Sequence, residues 1–527
     1  MQQGEGERVR PGAGRGALSG LVAGFCALGV AELVSAVIRP QSGPVPAVGG
    51  AVIDLTPPPV KEWAVAVFGT DDKLVLQLGI LVLLAGFAAA AGVLALRDRR
   101  LGALLALAFG GVGAVAAAGR PDASARDALP SVAAGLTAAL VLWLLAGALT
   151  GRTVTGGGAT DRSRSGTRRR FLQTVAASAG LAALAGLAGR ALNSKGASRA
   201  AADRDAVRLP PPAEPLPPLP AAAQLRVPGL GPFFTPDSDF YRIDTALVVP
   251  RLSARDWTLR IHGEGVARPV TLTYADLLRR ELVEHDITLA CVSNEVGGDL
   301  VGNARWLGVR LADLLREAGV RAPSRGGPAD QLVARSVDGM TLGTPVETVL
   351  DGRDALLAIG MNGQPLPFAH GYPVRMVVPG LYGYVSACKW LAELRLTTFG
   401  AYDAYWVQRG WADRAPVKTQ SRIDVPRDRA RVPAGTVAVA GVAWAQHTGI
   451  AAVEVRVDQG AWQPARLSAE DTVDTWRQWV WQWPATAGRH RLEVRATDRS
   501  GAVQSAVRRD VVPDGATGHH AIEVTVG

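Results

Sequence analysis

Residues Met361–Leu391 read MNGQPLPFAHGYPVRMVVPGLYGYVSACKWL, and this stretch decides how the second half of the chain is understood. Tyr372–Val378 has the apolar, β-branched character of a strand, and Pro379-Gly380 stops it. His370, Arg375 and Lys389 are donors of the kind that grip a polyanionic ligand by its phosphate and ring edges. Each alone is compatible with a structural role, so their meaning depends on what accompanies them.

Two earlier segments accompany them. Phe240-Tyr241-Arg242-Ile243-Asp244 supplies another cation. Thr288–Glu295 (TLACVSNE) closes a short strand, Asp286–Cys291, and enters the glycine-containing loop Val292–Asn303, ahead of Arg305-Trp306. A lone cysteine is often a small buried hydrophobe. One that ends a strand and enters a loop of small residues can instead turn a thiolate toward a pocket, and nearby cations favour that form.

Around these segments the chain alternates helix and strand signals. Trp257–His262 reads as a strand, and Tyr274–Glu281 and Val309–Ala318 read as amphipathic helices. Residues 226–412 are therefore an α+β or mixed α/β domain. From about 413 the pattern becomes short alternating runs between Gly/Asp/Pro turns: Val437–Val442, Ala452–Val457, Trp476–Trp483 and Arg489–Thr497. That spacing predicts an immunoglobulin-like β-sandwich over 413–527. Its tryptophans (Trp444, Trp462, Trp476, Trp479, Trp481, Trp483) read as core plus a subunit contact. A base-stacking platform would need an excess of basic residues here.

The first half is of another kind. The chain has 527 residues, 48% of them hydrophobic and 20% charged, which suits two to four domains, excludes a mainly disordered chain and favours membrane segments. Five runs have about the 20 apolar residues a bilayer crossing needs: Ala17–Ile38, Leu74–Leu96, Leu101–Ala118, Ser131–Leu149 and Phe171–Gly189. The Ala/Gly-rich third or fourth run also reads as a buried soluble helix. Glu32, near the end of the first run, is either a functional acid or one that reaches the interface.

The net charge of +9 lies wholly in residues 1–210, which hold 22 Lys/Arg against 13 Asp/Glu; the remainder holds 34 of each. The excess forms short clusters between apolar runs, the pattern of membrane topology, and no nucleic-acid partner is expected. Arg8, Arg10 and Arg15, then Arg97-Asp98-Arg99-Arg100, then the run Arg162–Arg170, all fall on the cytoplasmic side of a five-span chain. Everything after Gly189 is then extracytoplasmic. Thr167-Arg168-Arg169-Arg170-Phe171-Leu172-Gln173 resembles the twin-arginine export motif, which carries proteins already folded around a cofactor; an ordinary positive-inside cluster is the other reading. Residues 191–225, rich in Ala and Arg and then Pro, predict a semi-rigid extended linker. The expected organisation is a four-span membrane domain over 1–160, the motif, fifth span and linker over 161–225, and the two domains already delimited.

Three cysteines (Cys26, Cys291, Cys388) exclude a disulfide framework and a cysteine-ligated iron–sulfur cluster. No CxxCH motif is present, and all seven histidines lie at or after His262, so no haem is expected.

Taken together, the three segments are similar to the sulfite oxidase superfamily of molybdopterin-dependent oxidoreductases, especially its membrane-anchored bacterial members. The similarity covers about residues 226–527, and the run NGQPLP…HGYPVR…VPG…KWL carries it. The resemblance implies that Cys291 is the thiolate ligand of molybdenum, with the pterin dithiolene completing the sulfur set. It implies that Phe240, Tyr241, Arg242, Ile243 and Asp244 line the pterin, that His370, Arg375 and a strand Ala387-Cys388-Lys389 bind it, and that Asp338 is a further contact. It makes the sandwich a dimerisation domain. The implied reaction is oxygen-atom transfer at a sulfur centre, passing electrons to a separate cytochrome or quinone-linked partner.

Two positions depart from the family pattern. Sulfite oxidases proper have an arginine five residues after the cysteine, where this chain has Val296; the position of their active-site tyrosine is best matched by Trp411. Arg242 retains one substrate cation, and Arg305 is either a replacement or a surface residue. One lost charge-assisted bond weakens dianion binding by about 1–3 kcal/mol. Three functions are therefore carried forward: oxidation of sulfite or a related sulfur compound, reduction of a sulfoxide on exported proteins or small molecules, and a non-enzymatic tethered adhesion or scaffold protein. The last has no use for Cys291, His370 or Arg375.

Overall fold

The computed structural model describes residues 12–57, 60, 63, 67–68, 72–120, 123–150 and 162–527; side chains of 72–73, 150 and 162–168 are not described. Arg8, Arg10 and the side chains of Thr167 and Arg168 thus lie outside the described residues. The chain forms two units, one of residues 1–199 with 245–249, the other of 200–244 with 250–527.

The first unit is helical: α1 (Ala13–Ile38), α2 (Pro44–Leu55), α3 (Asp72–Arg97), α4 (Arg99–Ala118), α5 (Leu129–Thr150) and α6 (Arg162–Ala206), of which residues 200–206 belong to the second unit. Five of its helical stretches are long and apolar enough to cross a membrane, while the 12-residue α2 is shorter. Small residues set the crossings. A Cβ on Gly20 of α1 would lie 1.8 Å from the Ala88 carbonyl oxygen of α3, and Gly110 of α4 meets Gly135 of α5 backbone to backbone. Such contacts let apolar helices pack where hydrophobic burial offers no gain. The outward faces of α4 and α5 carry Leu104, Val112, Val115, Leu136 and Leu140, all exposed. Glu32 accepts a hydrogen bond from Asn193 of α6 (3.1 Å).

The second unit contains two sheets around one core and two more that enclose another. Strands β1 (Thr258–Gly263), β2 (Val270–Thr273), β5 (Gln331–Ser336), β6 (Thr341–Pro345) and β10 (Leu391–Thr397) form a sheet of order β2-β1-β10-β5-β6. Strands β3 (Val283–Ala290), β4 (Val301–Arg310), β7 (Leu356–Met361) and β8 (Gln364–Pro365) form another in that order, with β9 (Arg375–Val377) paired to β7. Short helices α7 (Tyr274–Leu278), α8 (Leu311–Glu317), α9 (Val346–Leu350) and α10 (Gly383–Ser386) join them.

The C-terminal part is two sheets face to face. One has order β11-β13-β17-β16 (Gln420–Val425, Gly435–Trp444, Arg477–Ala485, Arg466–Leu467). The other has order β12-β19-β18-β14-β15 (Arg431–Val432, His520–Val526, Gly488–Asp498, Ile450–Val457, Gln463–Pro464). Val439, Trp479, Trp483, Val453, Leu492 and Val524 fill the space between them. Trp444 and Trp476, by contrast, join the core of the preceding α+β part, so the two parts are continuous. Trp462 lies under the guanidinium groups of Arg456 and Arg495, at 4.5 and 4.3 Å.

Several expectations are corrected. Residues 191–206 are not extended linker but the end of α6, because Ala and Arg are strong helix formers. The proline-rich segment that follows is not a free stalk: Val207, Leu209 and Leu219 pack on the core, and the Ala213 amide bonds to the Leu282 carbonyl (2.8 Å). Arg204 caps the carbonyls of Pro365 and Leu366 (2.6 and 2.8 Å). The strand expected over Tyr372–Val378 shrinks to Arg375–Val377, since Pro373 has no amide hydrogen to donate. Strand β4 runs through Arg310, so the helix expected from Val309 begins at Leu311. Ala387-Cys388-Lys389 is an irregular connection leaving α10, although the Cys388 carbonyl does accept from the Met376 amide (2.9 Å).

Candidate functional site

Strand β3 delivers Cys291. All of its last five residues are buried, the Cys291 amide bonds to Leu300 O (2.9 Å), and residues 292–300 form a tight loop between these two points. Inside it Asn294 Oδ1 accepts from the Leu300 amide (2.8 Å). Cys291 is 8% exposed. Burial raises its thiol pKa, while hydrogen bonds from Ser293 and the charge of Lys389 work the other way. Tyr241, its hydroxyl pushed up by burial, feels the Cys291 charge first and the Arg375 cation next, so these side chains face one region. A Cβ on Gly383 of α10 would sit 3.6 Å from the Tyr241 hydroxyl and 3.7 Å from the Ala290 carbonyl oxygen.

The motif around His370 closes on the same region. Phe240 stacks on Tyr241 (5.3 Å between ring centroids) and presents its edge to His370 (5.5 Å) and Trp306 (5.9 Å). His370, 4% exposed, uses Nε2 against the Asp237 carbonyl (2.9 Å), and its Nδ1 is buried with no partner. Its pKa falls to about 4, chiefly through burial, then through the charges of Arg375, Lys389 and Arg242. Arg375, also 4% exposed, lies over the Trp306 ring (5.3 Å) and donates to the His370 carbonyl (3.4 Å). Its Nε is buried without a partner, and among the described residues it has no ion pair.

Among the described residues Asp244 is the carboxylate that pairs with this group, taking Arg242 Nε (3.0 Å) and Lys389 Nζ (3.2 Å). Burial lowers the Lys389 pKa to about 8 against that partner. With His370 neutral, the three cations Arg242, Lys389 and Arg375 against Asp244 give these four side chains a formal sum of +2. An unpaired buried cation, Arg375, costs free energy unless an anion meets it, and the orphaned His370 Nδ1, an acceptor while Nε2 donates to the Asp237 carbonyl, calls for an N–H of a ligand. The donor set therefore fits a phosphate-bearing ring system, and Cys291 offers the soft sulfur for a metal beside it.

The other expected residues are less central. Ala387 and Cys388 are buried, and burial and the Asp338 charge push the Cys388 thiol up. Asp338 sits in the β5–β6 turn, accepting from the Met340 amide (3.3 Å). Ile243 is 45% exposed. Trp411 packs its ring on Tyr384 (5.8 Å) and Trp406 (6.2 Å). Arg305 is held by Asp286 through a two-pronged contact (2.8 and 2.7 Å), which commits it to that carboxylate.

Sequence reasoning missed Asp237 and Asn362. Asn362 bonds Asp237 Oδ1 (2.8 Å) and the Thr235 carbonyl (3.0 Å), tying the NGQPLP turn to the segment that leads to Phe240. Its φ of 48° is a conformation asparagine tolerates, and Asn-Gly was the available signal. Tyr382 was missed as well; burial raises its pKa to about 12, and the Cys291 charge adds to that.

Comparison with known proteins agrees with this chemistry. Residues 246–406 match the family described as "Oxidoreductase molybdopterin binding domain". Mitochondrial sulfite oxidase of Macaca fascicularis is 31% identical over 318 residues, 52% of this chain and 57% of that protein. Sulfite oxidase of Gallus gallus is 30% identical over 323 residues, 52% of this chain and 68% of that protein. Among solved structures, the sulfane dehydrogenase SoxCD of Paracoccus pantotrophus matches with a TM-score of 0.49 at 26% identity, covering 56% of this chain and 82% of that one. The second unit thus carries a molybdopterin-binding domain. The chain belongs to the sulfite oxidase family, and it spans only a little over half the length of the mammalian relatives it matches.

Proposed function

We propose that this chain is a molybdenum-cofactor oxidoreductase that moves an oxygen atom at a sulfur centre. The observation that carries the proposal is the pair of buried, unpartnered nitrogens, His370 Nδ1 and Arg375 Nε, in the region that Tyr241 shares with Cys291. In this reading His370, Arg375, Arg242 and Lys389 hold the pterin's phosphate and ring edges. Phe240, Tyr241, Ile243, Asp244, Asp338, Ala387 and Cys388 border it, and Cys291 gives its thiolate to the metal. When bound, the cofactor supplies two-electron oxygen-atom transfer, with water as oxygen source in the oxidising direction and a cytochrome or quinone-linked partner taking the electrons. The residues of this chain bury the group, neutralise its charge and keep Cys291 at the end of a rigid strand.

The five apolar helical stretches, with exposed leucines and valines on α4 and α5, support a multi-pass membrane anchor. The basic clusters support placing the second unit outside the cytoplasm, loaded before export through the twin-arginine-like motif. The sandwich is the proposed immunoglobulin-like dimer contact.

Loop residues favour a second reading of the substrate. Val296 replaces a cation, Arg305 is occupied by Asp286, and Glu295 and Asp299 are exposed on the loop after Cys291. A sulfoxide or other uncharged sulfur centre suits such a rim better than a dianion. Metal and pterin analysis of the purified chain, followed by steady-state assays with sulfite as donor and with sulfoxides as acceptor, tests both. About one molybdenum and one pterin per chain, and no activity in Cys291→Ser, are expected. Folded protein from a molybdenum-replete host that lacks both would refute the proposal.

A further inference from the structure

We propose that the C-terminal sandwich positions the Cys291 loop, with Arg422 as the positioning residue. The inference rests on Cys291 being the reactive centre proposed above.

The sandwich grips the cysteine's strand on one side and its loop on the other. Strand β3 ends the order of its sheet: Glu214 bridges its first residue, Val283, and past that point no strand among the described residues pairs with this edge. The sandwich loop 471–476 lies along it. The Thr288 amide donates to the Asp474 carbonyl (2.9 Å), the Trp476 amide donates to Thr288 Oγ1 (2.7 Å), and Thr472 Oγ1 donates to the Asp286 carbonyl (3.1 Å). Gln446 Nε2, from beyond β13, donates to the Thr288 carbonyl (3.0 Å). These bonds fix the strand three residues before Cys291.

The loop is held at its far side. Arg422, on β11, donates from Nη1 to the Gly298 carbonyl (2.6 Å), while its Nε is held by Asp424 (2.6 Å). The His520 ring, at the start of β19, lies directly on Gly297: a Cβ there would come within 2.1 Å of His520 Cδ2. Gly297 also has φ +83°, where a side chain is strained. A Cβ on Gly298 would strike Asn294 Oδ1 at 2.6 Å, the atom that braces Leu300. Two glycines thus let the loop fold against Asn294 on the inside and His520 on the outside. The guanidinium then fastens the one carbonyl turned toward it. A charged donor bound to a single loop carbonyl stabilises the closed loop without touching any reacting atom.

The test uses the full chain in detergent, free of cofactor, with iodoacetamide labelling of Cys291 and Cys388 followed by peptide mass spectrometry. Buried Cys291 reacts only when its loop opens. Arg422→Ala should raise its labelling rate about tenfold while Cys388 keeps its rate, and Arg422→Lys, which retains a cation, should restore most of the protection. In cofactor-loaded protein Arg422→Ala should lower kcat more than it changes KM. An unchanged Cys291 rate in Arg422→Ala would overturn the inference, and so would a parallel rise at Cys388, which marks general loosening. Failure of the unmodified chain to bind molybdenum would count against the proposed function, leaving the labelling result to decide the loop's positioning.

Discussion

Replacing Arg305 by methionine separates the two roles this residue could have from sequence. In the structure its guanidinium meets Asp286 through Nε (2.8 Å) and Nη2 (2.7 Å), and the Asp286 side chain is 1% exposed. Arg305→Met removes the cation and leaves a carboxylate buried without it. Removing one partner of a buried pair costs about 3–5 kcal/mol, far more than the median surface pair. Asp286→Asn/Arg305→Met removes both charges and should cost less than about 2 kcal/mol. The deficit of the single variant should shrink on acidification, because a protonated Asp286 tolerates burial. Urea titration of the full chain in detergent, followed by tryptophan fluorescence, reads these differences as midpoint shifts at constant slope. A loss below about 1 kcal/mol in Arg305→Met, with a fall in kcat/KM for an anionic substrate, would refute the ion-pair account. Arg305 would then be a substrate cation.

Three further outcomes are expected. Arg375→Met should leave the cofactor-free protein as stable as before or more so, since it removes an unpaired buried cation; pterin retention on gel filtration should weaken by about 10- to 100-fold. The Asp471 carboxyl is pushed up to about 7 by burial and then by Asp286, against an ordinary 3.8. Its stabilising contribution is full below about pH 4 and is lost as pH rises through about 7, so Asp471→Asn should flatten Tm across that interval. Gly20→Val places a side chain where the Ala88 carbonyl oxygen already lies, and should lower the detergent-phase Tm by forcing α1 from α3, a cost of about 1–3 kcal/mol or more.

Some of this molecule was legible without coordinates. Runs of about 20 apolar residues have one solution in any apolar surrounding, a helix that satisfies its own backbone, and the five helical stretches appear where hydropathy put them. The alternating runs after 413 became paired strands because the period of two is a local property of the chain. The motif residues His370, Arg375 and Lys389 could be named as a group because they recur in one short, ordered stretch.

Tertiary structure alone decided the rest. Arg305 read equally well as free cation or surface residue because Asp286, 19 positions away, faces it only once β3 pairs with β4. The proline-rich segment looked like a stalk because nothing local reveals that Leu282 offers it a carbonyl. Arg422 and His520 lie more than 120 residues beyond the loop they hold. Local pattern determines which elements form, since it acts through bonded neighbours and side-chain period. Which charge is neutralised, which edge is covered and which loop is held depend on pairs that only folding brings within about 3 Å.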